Sequence, residues 1–346
     1  MARRRLPSLR LISVRRSALA GLGTLALAAG LLAPAGGTPP AAAAAPSYVA
    51  LGDSYSSGTG TRSYVADGTD CLRSTSAFPS LLAAQRGYAL DFRACSGATI
   101  PDVTAAQLGA LGSTTSYVTV SVGGNDAGFA DVLTKCALPW WAASCDKAVD
   151  GAQSFINTTL PGRLSSLYAD VRSRAANARV VVVGYPRIFG GEDCNAATFF
   201  SGAEMTRLNA TADLMNRRLR EAAAARGFAF ADPTGRFVGH AVCADAEWLN
   251  GLSNPVVESF HPNKAGQASG YLPTVAAQVP AAKSAGTGLV RVPARDIAAS
   301  QAQYAALDRG IEPQVVRVPD LTSPAVRRAA DRAGIDLDRW VARHAG

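Results

Sequence analysis

Ser47-Tyr48-Val49-Ala50-Leu51 runs directly into Gly52-Asp53-Ser54-Tyr55-Ser56-Ser57-Gly58. A short apolar run stopped by Gly and Asp reads as a buried strand that empties into a loop. The pattern recurs at Ala89 to Ala94, Tyr117 to Val122 and Ala178 to Val183, with a shorter instance at Phe228 to Ala231. Between these runs lie stretches of helical composition: Phe78 to Arg86, Asp102 to Leu111, Ala152 to Ala176 and Ala203 to Arg226. A last helix is expected from near Asn263 toward Val279. Strands alternating with helices predict a parallel sheet covered on both faces, with functional loops at the carboxyl ends of the strands.

The whole chain has 346 residues, of which 48% are hydrophobic and 17% charged, which excludes disordered, collagen-like and coiled-coil readings. Its net charge of +8 is unevenly placed. Arg3, Arg4, Arg5, Arg10, Arg15 and Arg16 lie in residues 1–45 with no acidic residue to oppose them, whereas residues 46–287 hold 19 basic and 19 acidic residues. A neutral body argues against a nucleic-acid partner, because phosphate binding needs a basic surface there.

Those arginines precede an uncharged run of 16 residues from Ala18 to Ala33 and then the alanines Ala41 to Ala45 before Pro46. This is the order of a secretory signal, expected to be cut after Ala45, and the run is short of the roughly 20 residues a membrane span needs. Arg15-Arg16 leaves a twin-arginine route open beside the general one. The organisation expected is a signal peptide at 1–45, one α/β domain at 46–285 and an appendage at 286–346. The appendage contains nine Arg and no Lys or Cys, and reads as a small helical piece or a partly loose tail.

All six cysteines, Cys71, Cys95, Cys136, Cys145, Cys194 and Cys243, follow the leader. No Cys-x-x-Cys occurs, so disulfides in an oxidising compartment are expected rather than a metal site. Their count is even, but arithmetic does not choose the pairing.

Only three histidines occur: His240, His261 and His344. A nucleophilic hydrolase needs a base that titrates near neutrality, and His261, followed by Pro262-Asn263 ahead of a helix, is the best presented. His240, beside Cys243, reads as structural. Ser54 sits where the first strand ends, so backbone N–H groups at that turn can face a developing negative charge. Cys95-Ser96-Gly97-Ala98 ends the second strand and Val122-Gly123-Gly124-Asn125-Asp126 the third. Glycine there lets backbone approach a ligand, and Asn125 supplies a neutral amide donor. No Gly-x-Ser-x-Gly occurs, which disfavours an α/β-hydrolase.

With serine, glycine, asparagine and histidine at strand ends on one sheet edge, the sequence resembles the SGNH (GDSL) hydrolase superfamily. The resemblance rests on Gly52-Asp53-Ser54, Gly97, Gly123-Gly124-Asn125-Asp126 and His261-Pro262-Asn263, with Gly266 beyond, and spans about residues 47 to 280. It implies a flavodoxin-like three-layer α/β/α sandwich with a central parallel sheet. It implies Ser54 as nucleophile, His261 as base, and an oxyanion hole of the Ser54 and Gly97 N–H groups with the Asn125 amide. Likeness to the secreted lipase and phospholipase branch implies Cys71–Cys95, Cys136–Cys145 and Cys194–Cys243 pairing.

The superfamily usually carries Asp three residues before the histidine, where this chain has Glu258. Either Glu258 or a backbone carbonyl then orients His261. Leu138-Pro139-Trp140-Trp141 and Phe199-Phe200 read as an acyl groove or lipid-facing rim, or as ordinary core. The expected protein is a secreted, monomeric lipase or esterase that needs no cofactor or metal, takes ester or lipid substrates and touches a lipid surface transiently. A carbohydrate acetylesterase or a non-catalytic binding module on the same fold are the alternatives.

Overall fold

The computed structural model describes residues 44–280 and 292–344. Residues 1–43 of the expected leader lie outside that range. Five strands form one parallel sheet: β1 (Ser47–Gly52), β2 (Ala89–Phe92), β3 (Tyr117–Ser121), β4 (Arg179–Val183) and β5 (Ala229–Ala231). Their spatial order is β2-β1-β3-β4-β5, the flavodoxin-like winding. Val49 pairs with Val118 and Thr119 with Val181, so β-branched residues fill the sheet centre. β1 and β3 leave the sheet on either side of the point where the order reverses. The crevice that such a reversal opens at the strands' carboxyl ends is where Ser54 and Asn125 emerge.

A single turn, α1 (Ser54–Ser57), follows β1 at once, its start capped by the Asp53 side chain, which accepts from the Tyr55 N–H. Helices α2 (Phe78–Arg86), α3 (Phe129–Cys136), α4 (Cys145–Thr158), α5 (Leu160–Arg174) and α6 (Gly202–Ala224) flank the sheet. The helix expected over 152–176 is two helices, because Pro161 in the first turn of α5 supplies no N–H to extend α4. The last expected helix begins as a wide turn over Gly266–Tyr271 and continues as α7 (Leu272–Ala276).

Disulfides join Cys71 to Cys95, Cys136 to Cys145 and Cys194 to Cys243. No helix among the described residues is long and apolar enough to cross a membrane.

Residues 292–344 pack onto the rest. Helix α8 (Ala294–Gln301) lies against β2, the edge strand, where Gln301 Nε2 donates to Asp91 Oδ1 at 2.9 Å. Ile297, Ile311 and Val316 join the main core. Helices α9 (Pro324–Arg332) and α10 (Leu337–His344) cover the loop after α3. There Trp141 is buried against Val326, Ala329 and Ala330, with Trp340 edge-on at 5.3 Å.

Candidate active site

The Ser54 hydroxyl and the His261 ring meet at the crevice, with His261 Nε2 2.8 Å from Ser54 Oγ. Both residues are buried. The histidine arrives on a turn with an unusual backbone. Phe260 holds φ of +60°, a region that bulky side chains avoid at a cost of about 1–3 kcal/mol. Neighbours hold it there: the Phe260 N–H donates to Asn250 O, and its carbonyl accepts from the Tyr55 hydroxyl at 2.9 Å. Its ring is buried between Phe189 and Phe200.

His261 Nδ1 faces the Ser259 carbonyl at 2.9 Å. With that carbonyl as acceptor, Nδ1 carries the proton and Nε2 is left to accept from Ser54. Glu258 is not the group that orients the ring, which corrects its candidacy as a third catalytic member. Its buried carboxylate is taken by Arg62 Nε and the Tyr64 hydroxyl, each at 2.7 Å. Burial pulls the His261 pKa down to about 4, although the Ser259 carbonyl and the Glu258 charge pull the other way. The imidazole is therefore neutral at physiological pH, as a general base must be.

Two loops close around this pair. Asn125 lines the same pocket as Ser54, and its Nδ2 donates to Ala98 O at 2.9 Å, which leaves its second amide hydrogen unspent. Asp126 accepts from the Ile100 N–H at 2.9 Å, so the loops after β2 and β3 are stitched together twice. Gly97 sits in the left-handed region with φ of +87°. Among the described residues neither the Ser54 N–H nor the Gly97 N–H donates to a protein acceptor. Ser54, Gly97, Asn125 and His261 are thus gathered at one sheet edge. His240 stands apart, stacked on Trp248 with ring centroids 3.7 Å apart.

Tyr185 lines the same pocket, although no motif announces it. Its hydroxyl donates to Asp53 Oδ2 at 2.6 Å and accepts from the Gly124 N–H, so it ties the loop after β1 to the loop after β3. Burial pushes the Asp53 carboxyl up to about 7, against the Tyr185 and Tyr55 hydrogen bonds that lower it. The lone signal was the strand end itself, since Tyr185 follows Val183-Gly184 where a functional loop is expected.

An apolar pocket opens from Ser54 and Asn125, walled by Val132, Leu133, Ile156, Ile188, Leu208 and Met215 from α3, α4, α6 and the loop after β4. The aromatic loop read as a groove does not line it. Trp141 is sealed by α9 and α10, Phe199 packs on Trp340 at 5.1 Å, and Phe200 belongs to the main core. Only Trp140, 74% exposed, faces water.

A doubly wound parallel sheet with this serine, glycine, asparagine and histidine on its crevice defines an SGNH hydrolase. The GDSL-like lipase/acylhydrolase family matches residues 50–268. The chain is 45% identical to Lipase 1 of Streptomyces coelicolor over 268 residues, 76% of this chain and 98% of that one. Crystal structures of phospholipase A1 from Streptomyces albidoflavus and of an extracellular lipase from Streptomyces rimosus superpose with TM-scores of 0.65 and 0.64. They are 45% and 42% identical to it, and each is covered in full by 68% of this chain. The chain belongs to the GDSL-like lipase/acylhydrolase family, and it is a carboxylic ester hydrolase.

Proposed function

We propose that the protein is an exported serine esterase that cleaves lipid or other long acyl esters through a covalent acyl-enzyme on Ser54. The observation that carries the reading is the 2.8 Å contact of His261 Nε2 with Ser54 Oγ at the mouth of an apolar pocket. His261 takes the Ser54 proton as the oxygen attacks the ester carbonyl. The tetrahedral oxyanion is received by the Ser54 and Gly97 N–H groups and the free Asn125 amide hydrogen. Collapse expels the alcohol, which leaves with the proton from His261. Water then repeats the attack on the acyl-enzyme, with His261 again as base, and frees the acid and the serine. No step calls on a cofactor.

The pocket walls favour an acyl chain over a sugar acetate, since six large apolar side chains offer a hydroxylated substrate nothing to bond. Three disulfides and an arginine-led leader fit export of residues 46–346 after cleavage at Ala45.

Hydrolysis of p-nitrophenyl esters from acetate to palmitate tests this, with Ser54→Ala beside the native protein. Turnover that rises with chain length and vanishes in the variant is expected. Activity confined to acetate would turn the reading to a deacetylase, and activity retained by Ser54→Ala would remove the nucleophile assignment.

A further inference from the structure

Arg73 and Arg93 are the two largest fully enclosed side chains among the described residues. Two buried guanidinium groups side by side need anions, and the body supplies one in direct ion-pair contact: Asp67, 2.7 Å from Arg73 Nη1. The other comes from the C-terminal segment. Asp308, itself wholly buried, sits between the arginines with Oδ2 2.6 Å from Arg73 Nη2 and Oδ1 2.8 Å from Arg93 Nη2. Gln301 accepts from Arg93 as well, and the Tyr304 ring lies 3.8 Å beneath the same guanidinium. The family match ends at residue 268, so none of these three partners belongs to the matched region.

The position of this clamp matters. Arg73 and Arg93 flank the Cys71–Cys95 disulfide, and two residues beyond Cys95 is Gly97. Four residues past Asp308 the chain crosses Gly97 so closely that a β-carbon there would stand 1.9 Å from the Glu312 carbonyl oxygen and 2.9 Å from Pro313 Cα. The crossing is pinned on both sides: Asp308 and buried Ile311 precede it, and buried Val316 and the Arg317 N–H, which donates to Thr134 on α3 at 2.9 Å, follow it.

We propose that the Glu312–Pro313 crossing, anchored by Asp308, is a positioning element for the reaction: it holds the Gly97 loop so that the Gly97 N–H points at the oxyanion. This rests on the reading of Gly97 as an oxyanion donor. The C-terminal segment is then part of the catalytic apparatus of this chain, although it lends no atom to the substrate. An N–H that drifts from its aim weakens the transition state and leaves ground-state binding alone, so kcat carries the loss.

The test compares Asp308→Asn, Pro313→Gly and Asn125→Ala with the native full-length protein. It measures kcat and KM on p-nitrophenyl butyrate, the rate of Ser54 labelling by a serine-directed phosphonate, and the circular-dichroism melting midpoint. Asp308→Asn keeps the volume and removes the charge; Pro313→Gly leaves the ion cluster untouched and loosens the crossing. Expected are kcat losses of at least about 10-fold for Asp308→Asn and several-fold for Pro313→Gly, KM within about 2-fold, and labelling slowed in step, all at a temperature where the proteins remain folded. Should Asp308→Asn fail to fold, Pro313→Gly decides. A folded Pro313→Gly with native kcat, or a loss confined to KM, overturns the proposal. Full activity in Asn125→Ala strikes the oxyanion reading instead, whereas slow Asn125→Ala beside fast Pro313→Gly strikes this inference alone.

Discussion

The Ser259 carbonyl oxygen lies 2.9 Å from Nδ1 of His261, two residues further along the same turn. With His261 as the proposed base, the group that orients it is built into the loop that carries it. Glu258 acts elsewhere, since with Arg62 and Tyr64 it fastens that loop to the segment after α1.

Glu258→Gln is accordingly expected to keep turnover within about 10-fold of native, since Gln can still accept from Tyr64. His261→Ala should lose on the order of 10,000-fold or more, as removal of a triad base does elsewhere. Steady-state kcat on one p-nitrophenyl ester checks both. Equal losses would restore Glu258 as a third member.

Asn125→Ala should lower kcat by on the order of 100- to 1,000-fold, about 2.7–4 kcal/mol, with KM little changed. The side chain also anchors to Ala98, so Asn125→Asp serves as a second probe. It can keep the size but places a negative charge where one is meant to develop, and it should be no faster than the alanine variant.

Two buried groups give stability an opposed pH dependence. The His261 pKa falls from 6.5 to about 4 on folding, so below 6.5 the unfolded chain takes up a proton the native one refuses, and stability drops as pH falls toward 4. The Asp53 pKa rises from 3.8 to about 7, so its contribution is full below 3.8 and is lost as pH rises through 7. The two nearly offset each other between pH 7 and 4, so Asp53→Asn should unmask a loss of stability on acidification and His261→Ala a gain. Urea unfolding across that range reads both. On the activity side, kcat/KM should fall away on an acid limb near 4, where the base becomes protonated.

Filling the pocket should shorten the preferred substrate. Ile156 and Leu208 face it from α4 and α6, and Leu208→Trp or Ile156→Phe takes up the room of several methylenes. The ratio of palmitate to butyrate turnover on p-nitrophenyl esters is expected to drop at least about 10-fold, with acetate hydrolysis retained. Equal losses across the series would put the acyl chain elsewhere.

The sheet was legible because each strand is a local statement: Val180-Val181-Val182-Val183 is apolar, β-branched and ended by Gly184 whatever surrounds it. Ser54, Gly97 and Asn125 could be read for a related reason, since they stand at or near strand ends where the fold puts its loops, whereas His261, thirty residues past β5, was picked out by the scarcity of histidines and by Pro262-Asn263 after it. Helix α3 was missed because it is short and starts at Gly128 in the left-handed region with no side-chain cap to announce it.

What could not be read depends on partners far away in the chain. Nothing near Glu258 reveals that Arg62, 196 residues earlier, will claim its carboxylate. Trp141 has the size and polarity of a lipid groove, and only the arrival of α9 and α10 turns it into an interior. Likewise Arg73 and Arg93 look like ordinary surface arginines until Asp308, over 200 residues on, is folded between them.

The packing of α10 also gives the molecule an optical gauge of its own. Of the four tryptophans, Trp141 and Trp340 touch each other across the contact between the C-terminal helices and the Cys136–Cys145 loop, while Trp140 next to them is already in water. Lifting those helices would move two indoles into water and redden the emission, with no label attached. Fluorescence can therefore follow the docking of the chain's last residues while the ester assay follows its first strand.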